Sequence, residues 1–221
     1  MESEKRKSWE KEQKKKRIID IAEKIFFENG YDGTTINDIA REAGYHKRTI
    51  YLYFRDKEEL FLAVVLRAWE IFYRAMKDAF ENSEKGIISL KEMGNVYFNF
   101  FMEYPEYFNM LMVYEARIHE YYTWHEDTNA DEDETDFRAA CHRISNESGQ
   151  LVTEAIRKNI EQKNISTSLE PQQLMLMLWG QVFGIMNIIL MRQPHFKDAF
   201  GITYEEFFNH FISMIEKSLH Q

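Results

Sequence analysis

TTINDIAREAGYHKRTIYLYF, residues 34–54, decides how the rest of the chain is read. Thr35 has a side chain that caps helices, and Asp38 three positions on completes a capping-box-like T-x-x-D. Ile36, Ile39, Ala40 and Ala43 follow at i, i+3, i+4 and i+7, which is one face of a helix. Gly44 stands where a helix closes through the left-handed region. A second helix is expected from about His46, burying Ile50 and Phe54 and carrying His46, Lys47, Arg48, Thr49, Tyr51 and Tyr53 on its other faces. Two short helices around a glycine corner, the second rich in basic and hydroxyl groups, form the helix-turn-helix pattern, whose second helix enters the major groove of DNA.

Working outward toward the N-terminus, Ile18, Ile19, Ala22, Ile25 and Phe26 form an apolar stripe that Asn29-Gly30 ends. Residues 1–17 hold eight Lys or Arg and four Glu, read either as a solvated helix extension or as a basic arm adding phosphate contacts. Toward the C-terminus, Asp56 and Glu59 suit the start of a long helix to about Phe80, with a break over 82–86. Further helices are expected over about 87–103, from Pro105, over about 136–162, through the apolar run 174–191, and from the T-x-x-E box of Thr203 and Glu206. With three prolines, nine glycines and no strand-length alternation, the fold class is all-α.

Charge is divided along the chain. The net charge is −9, yet residues 1–67 hold 15 Lys and Arg against 13 Asp and Glu, and residues 68–221 hold 13 against 24. A DNA-facing module joined to an acidic body would be divided in this way. Cys141 is the only cysteine, which excludes a disulfide framework or a cysteine zinc site, and a small buried hydrophobe is its expected role. The charged N-terminus lacks the apolar core of a signal peptide, so a reducing cytoplasm is expected. The acidic stretch 125–136 lacks the ordered spacing of a calcium loop, and His119, His125 and His142 are irregularly spaced for a metal. No G-x-S-x-G, H-E-x-x-H, P-loop or G-x-G-x-x-G is present, so no catalytic residue, metal or cofactor is expected and the chain reads as a non-enzyme.

Two C-terminal features concern partners. Residues 97–124 hold 11 Phe, Tyr or Trp, which suits both ordinary core and the wall of an apolar ligand pocket. The candidate ligand contacts are Phe98, Phe101, Tyr104, Tyr107, Met110 and Tyr114, joined by Phe183 and Asn187. The run LMLMLWGQVFGIMNIILM, 174–191, is about the minimum length for a membrane span, but Gln181 and Asn187 interrupt it; a helix buried on two sides is the better reading. Trp179, Gly180, Phe183 and Gly184 on it, with Phe208, Phe211 and Ile215 on the last helix, are the candidate dimer interface, two helices from each chain around a two-fold axis.

Residues 18–65 closely resemble the N-terminal domain of the TetR family of transcriptional regulators. The resemblance is carried by Ile18 or Ile19 with Ala22 and Phe26, by N-G-Y-D-G-T-T, I-x-D-I-A-x-x-A-G, T-I-Y-x-Y-F and K-E-E-L. It implies a homodimeric repressor that binds a palindromic operator and releases it when a small apolar or aromatic molecule occupies the C-terminal domain. It implies a helix-turn-helix domain over residues 1–58 and a ligand-binding and dimerisation domain over 59–221, joined by a linking helix. By match to the family, Thr35, Tyr45, Lys47, Thr49, Tyr51, Tyr53 and Lys57 are expected at DNA; His46 and Arg48 are added from position. At these last two places the family usually has a small residue and a glycine. An activator or ligand-independent regulator, and a helical small-molecule carrier or interaction protein, are the alternatives.

Overall fold

The computed structural model describes residues 2–83, 87–117 and 136–219, and among these it is helical with no strand. The helices are α1 Glu2–Asn29, α2 Ile36–Ala43, α3 Lys47–Ile50, α4 Lys57–Asn82 and α5 Leu90–Glu103. They continue with α6 Pro105–Ala116, α7 Phe137–Glu161, α8 Pro171–Arg192, a 3-10 turn Gln193–His195, α9 Phe196–Phe200 and α10 Tyr204–Leu219. The acidic stretch to residue 135, with His119 and His125, lies outside the described residues, as do the aromatics beyond 117.

Two compact units contain these helices. One comprises Met1–Glu70 and Glu106–Ile144; the other comprises Ile71–Pro105 and Ser145–Gln221. This is a division by packing, whereas the boundary expected at residue 58 is a division by role. In the first unit, Ile18, Ala22, Ile25 and Phe26 of α1 are buried with Ile39, Ile50, Phe54, Leu60 and Phe61. Phe26 meets Phe61 edge-on, with centroids 5.7 Å apart. Cys141 is buried here too: its thiol donates to the Leu62 carbonyl at 3.4 Å, and burial, with Glu70 and Asp136 adding, pushes that thiol up. It behaves as the small core group expected of a lone cysteine.

Arg67 ties α4 to α1, donating to Asp20 at 2.5 Å and Glu23 at 2.8 Å. Tyr107 of α6 donates its hydroxyl to the same Glu23 carboxylate at 2.7 Å and sets its ring edge-on to Phe27. The phenol is raised from its ordinary value by burial first and the Glu23 carboxylate second.

In the second unit, α5 lies against α10. Ser89 and Glu92 form a capping box that starts α5 at Leu90, three residues later than the sequence suggests. The reason is Ile88, buried outside the helix, whose carbonyl accepts from the buried Asn159 side chain at 2.8 Å. Tertiary burial, not helical periodicity, explains the apolar pair at 87–88. Thr203 and Glu206 form the expected box at the start of α10, with the Thr203 N–H donating to Glu206 at 2.8 Å.

Candidate nucleic-acid interface

α2 is held at both ends by its own sequence. The Thr35 hydroxyl accepts from the Asp38 N–H at 3.2 Å, and the Asp38 carboxylate accepts from the Thr35 N–H at 3.2 Å and its hydroxyl at 2.6 Å. These bonds, above all the one from the Thr35 hydroxyl, hold the Asp38 carboxyl below its ordinary range. Gly44 closes the helix at φ +68°, with its N–H bonded to the carbonyl of Arg41 and that of Tyr45 to Ala40. Ile36, Ile39, Ala40 and Ala43 are all buried, as the spacing requires.

The following turn is short. α3 covers Lys47–Ile50, and hydrogen bonds from Tyr51 to Lys47, Tyr53 to Ile50 and Phe54 to Ile50 carry the coil on to Phe54. Ile50 and Phe54, both buried, pin one side. His46, Lys47, Arg48 and Tyr51 are exposed on the other, and Tyr45, Thr49 and Tyr53 are half-buried. The Lys47 ammonium lies 5.6 Å from the Tyr51 ring centroid and the Arg17 guanidinium 5.8 Å from that of Tyr45. The sequence-selected residues from Tyr45 to Tyr53 thus fall together on this one turn.

Thr35 and Lys57 are occupied differently. The Thr35 side chain serves as the cap of α2. Lys57 donates to the Tyr31 carbonyl at 2.8 Å and the Thr34 carbonyl at 3.0 Å, with its ammonium 4.1 Å from the Tyr31 ring centroid. It closes the α1–α2 turn onto the start of α4 with two of its three N–H donors. Nothing in the local pattern K-E-E-L signals this, because both acceptors are backbone atoms more than twenty residues away.

An apolar groove with a cavity of about 50 Å³ lies among α5, α7, α8 and α10 of the second unit. Its wall includes Met93, Gly94, Tyr97, Trp179, Phe211 and Ile215, with no charged side chain in the lining. A neighbouring hollow, sharing Leu90 with it, is bordered by Ser89, Asn159, Asn164 and Glu216.

None of the eight sequence-selected ligand residues lines this groove. Phe98 stacks on Phe208 with centroids 4.7 Å apart, and Phe101 is buried. Tyr104 ends α5, and Asn187 donates to the Phe183 carbonyl one turn back. Met110 and Tyr114 are buried in the first unit, where Tyr107 is half-buried, and Tyr114 lies edge-on to Trp69. Of the seven selected for a dimer interface, Trp179, Phe211 and Ile215 line the groove, and Phe208 is core. Phe183 packs at 5.3 Å on Trp179, while Gly180 and Gly184 have open space beside them. Aromatic density marks residues that will be buried; it does not say which of them border empty space.

α8 keeps an uncovered apolar side. Leu174, Val182, Met186 and Ile189 are buried, while Leu176, Met177, Ile188 and Met191 are exposed. Pro171–Phe200 is long and apolar enough to cross a membrane by length and composition.

Comparison with known proteins bears on the first of these regions most directly. Residues 18–64 match the sequence model described as bacterial regulatory proteins, tetR family. The fatty acid metabolism regulator protein of Bacillus subtilis is 35% identical over 69 residues, 31% of this chain and 36% of that relative. The chain therefore matches about a third of that relative's length. Over nearly the whole chain the likeness is structural. The transcriptional regulator FadR from Bacillus subtilis, solved with stearoyl-CoA, is similar at a TM-score of 0.62 and 17% identity, covering 92% of this chain and 98% of that one. AibR, solved with isovaleryl coenzyme A and operator DNA, is similar at 0.61 and 17%, covering 91% and 97%. These structures show a shared fold: an N-terminal helix-turn-helix followed by a helical C-terminal part. Residues 18–64, folded as the end of α1, the two short helices and the start of α4, are thus similar to the tetR family of bacterial regulatory proteins.

Proposed function

We propose that this chain is a homodimeric, ligand-responsive transcriptional regulator of the cytoplasm, a repressor of palindromic operators and not an enzyme. One observation carries it: a recognition turn pinned by Ile50 and Phe54 that presents His46, Lys47 and Arg48 to solvent. Arg48 or Lys47 has the donors to read guanine O6 and N7, and Thr49 and Tyr51 the reach for phosphate or a thymine methyl. Residues 1–58 serve DNA, and 59–221 serve ligand and dimer. Electrophoretic mobility shift with the region upstream of its own gene tests the reading. A salt-sensitive shift is expected; a folded dimer that shifts no duplex at low salt overturns it.

The apolar groove is the ligand site in this reading. Its lining suits an aliphatic or aromatic body, and it offers no cation to a phosphate group. The acyl-CoA ligands of the structurally similar FadR and AibR suggest an acyl chain as one such body. Occupancy would favour a dimer whose recognition turns no longer match one helical turn of DNA, about 34–36 Å. A thermal-shift series of fatty acids, acyl-CoAs and neutral aromatics, followed by operator titration, tests it. Binders that raise the melting temperature and leave operator affinity unchanged would make the groove a carrier site and not a switch.

A further inference from the structure

α1 is helical well before it is needed by any core. It starts at Glu2, its first buried side chain is Ile18, and the residues from 4 to 17 are exposed apart from the half-buried Lys15. Lys7, Lys11, Lys14 and Lys15 stand at i, i+4, i+7 and i+8, one face of the helix. Ile18, Ala22 and Ile25 continue the same row at i+11, i+15 and i+18, where it is buried. The lysine row is thus the core-facing side of α1, carried past the end of the core.

Two side chains set where that side lies. The Lys15 ammonium is 4.8 Å from the Phe137 ring centroid and 6.0 Å from that of Phe54. The Arg17 guanidinium is 5.8 Å from the Tyr45 ring centroid. Tyr45 opens the recognition turn and Phe54 closes it, so α1 leaves the fold beside the turn. Glu10 is engaged by Arg6 at 3.1 Å, and among the described residues Lys7, Lys11 and Lys14 have no carboxylate partner. Like charges at this spacing weaken a helix by a few tenths of a kcal/mol per pair, so the row favours an anionic counter-surface.

We propose that the Lys7–Lys11–Lys14 row is a second DNA surface, lying along the phosphodiester backbone beside the half-site reached by the recognition turn. Lys7 to Lys14 spans about 10 Å of helix, long enough for the row to meet more than one phosphate of a strand. The contact adds affinity and salt dependence without reading bases. It rests on the DNA-binding reading above and extends the footprint of each protomer beyond the helix-turn-helix.

The test uses the full chain with Lys7→Gln, Lys11→Gln and Lys14→Gln together, and Lys15 left in place. A fluorescent 30-base-pair mixed-sequence duplex is titrated by anisotropy across a potassium chloride series. The slope of log K against log salt is expected to fall by about 0.9 for each phosphate no longer neutralised, with affinity at 0.1 M salt down about tenfold or more. The melting curve should not move, since these side chains are solvated. A slope and affinity equal to wild type, with wild type binding normally, overturns the arm and leaves the regulator reading intact. Failure of the wild-type chain to bind the duplex at low salt overturns both.

Discussion

Arg48 and His46 are exposed on the turn that follows α2, and in the proposed reading a turn this short gives few side chains access to base edges. Arg48 carries a fork of donors that matches guanine. Arg48→Ala should lower affinity by about 1–3 kcal/mol and relax preference at one base position of a selected operator, measured on single-base variants. A loss uniform across those variants would assign the side chain to phosphate. A second residue, Glu115 on α6, makes a pH prediction. Burial raises its carboxyl to about 7 from an ordinary 4.5. Between those values the folded chain keeps a proton that the unfolded chain releases, so stability falls as pH rises through the window and is level above it. Glu115→Gln removes that slope. The variant should gain on wild type from pH 4.5 to 7 and hold an advantage of about 1–3 kcal/mol above, read by urea melts at pH 5 and 8. A constant difference at both pH values would refute the assignment.

Between elements, the closest approach that a glycine makes possible is that of α5 to α10. A Cβ at Gly94 would lie 2.6 Å from Ile212 Cδ1 and 3.3 Å from Cγ1, with Phe208 at 3.6 Å. Gly94→Val should therefore destabilise by about 1–3 kcal/mol, and Ile212→Ala in the same chain should recover part of that loss. Additive costs, measured by denaturation, would mean the two positions do not meet. Gly94 shows how far the sequence could be read. The caps of α2 and α10 were legible because all their partners lie within four residues, and so was the pinning of the recognition turn by Ile50 and Phe54. The late start of α5 was not, because Ser89 is preceded by Ile88, buried and bonded through its carbonyl to Asn159, 71 residues away. The groove is not legible in the sequence for the same reason. Trp179, Phe211 and Ile215 carry the right character for either a partner surface or a ligand wall, and only the packing of four helices separates these roles.

At the scale of the molecule, the unexplained surface is α8. Leu176, Met177, Gly180, Gly184, Ile188 and Met191 fall on one stripe of that helix, with Leu176 61% and Met191 71% exposed. Met214 of α10 is 61% exposed as well. A stripe of this kind on one chain calls for a cover. A bilayer and a second copy are the two covers that suit it, and they differ in what they require of the opposite side of the helix. Leu174, Val182, Met186 and Ile189 are already buried against the chain's own core, so only one side of α8 is left to cover. Gly180 and Gly184, with open space beside them, would let a partner helix approach along that side. Ile188→Glu sits on the stripe and away from the core, so it should leave helicity intact while converting the proposed dimer to monomer in sedimentation. Because two half-sites bound by one dimer act at high effective concentration, palindromic-operator affinity should fall by at least about a hundredfold. A variant that sediments as wild type and binds the palindrome equally well would remove α8 from the interface. Recovery of the wild-type chain with membranes in flotation would assign the stripe to lipid instead.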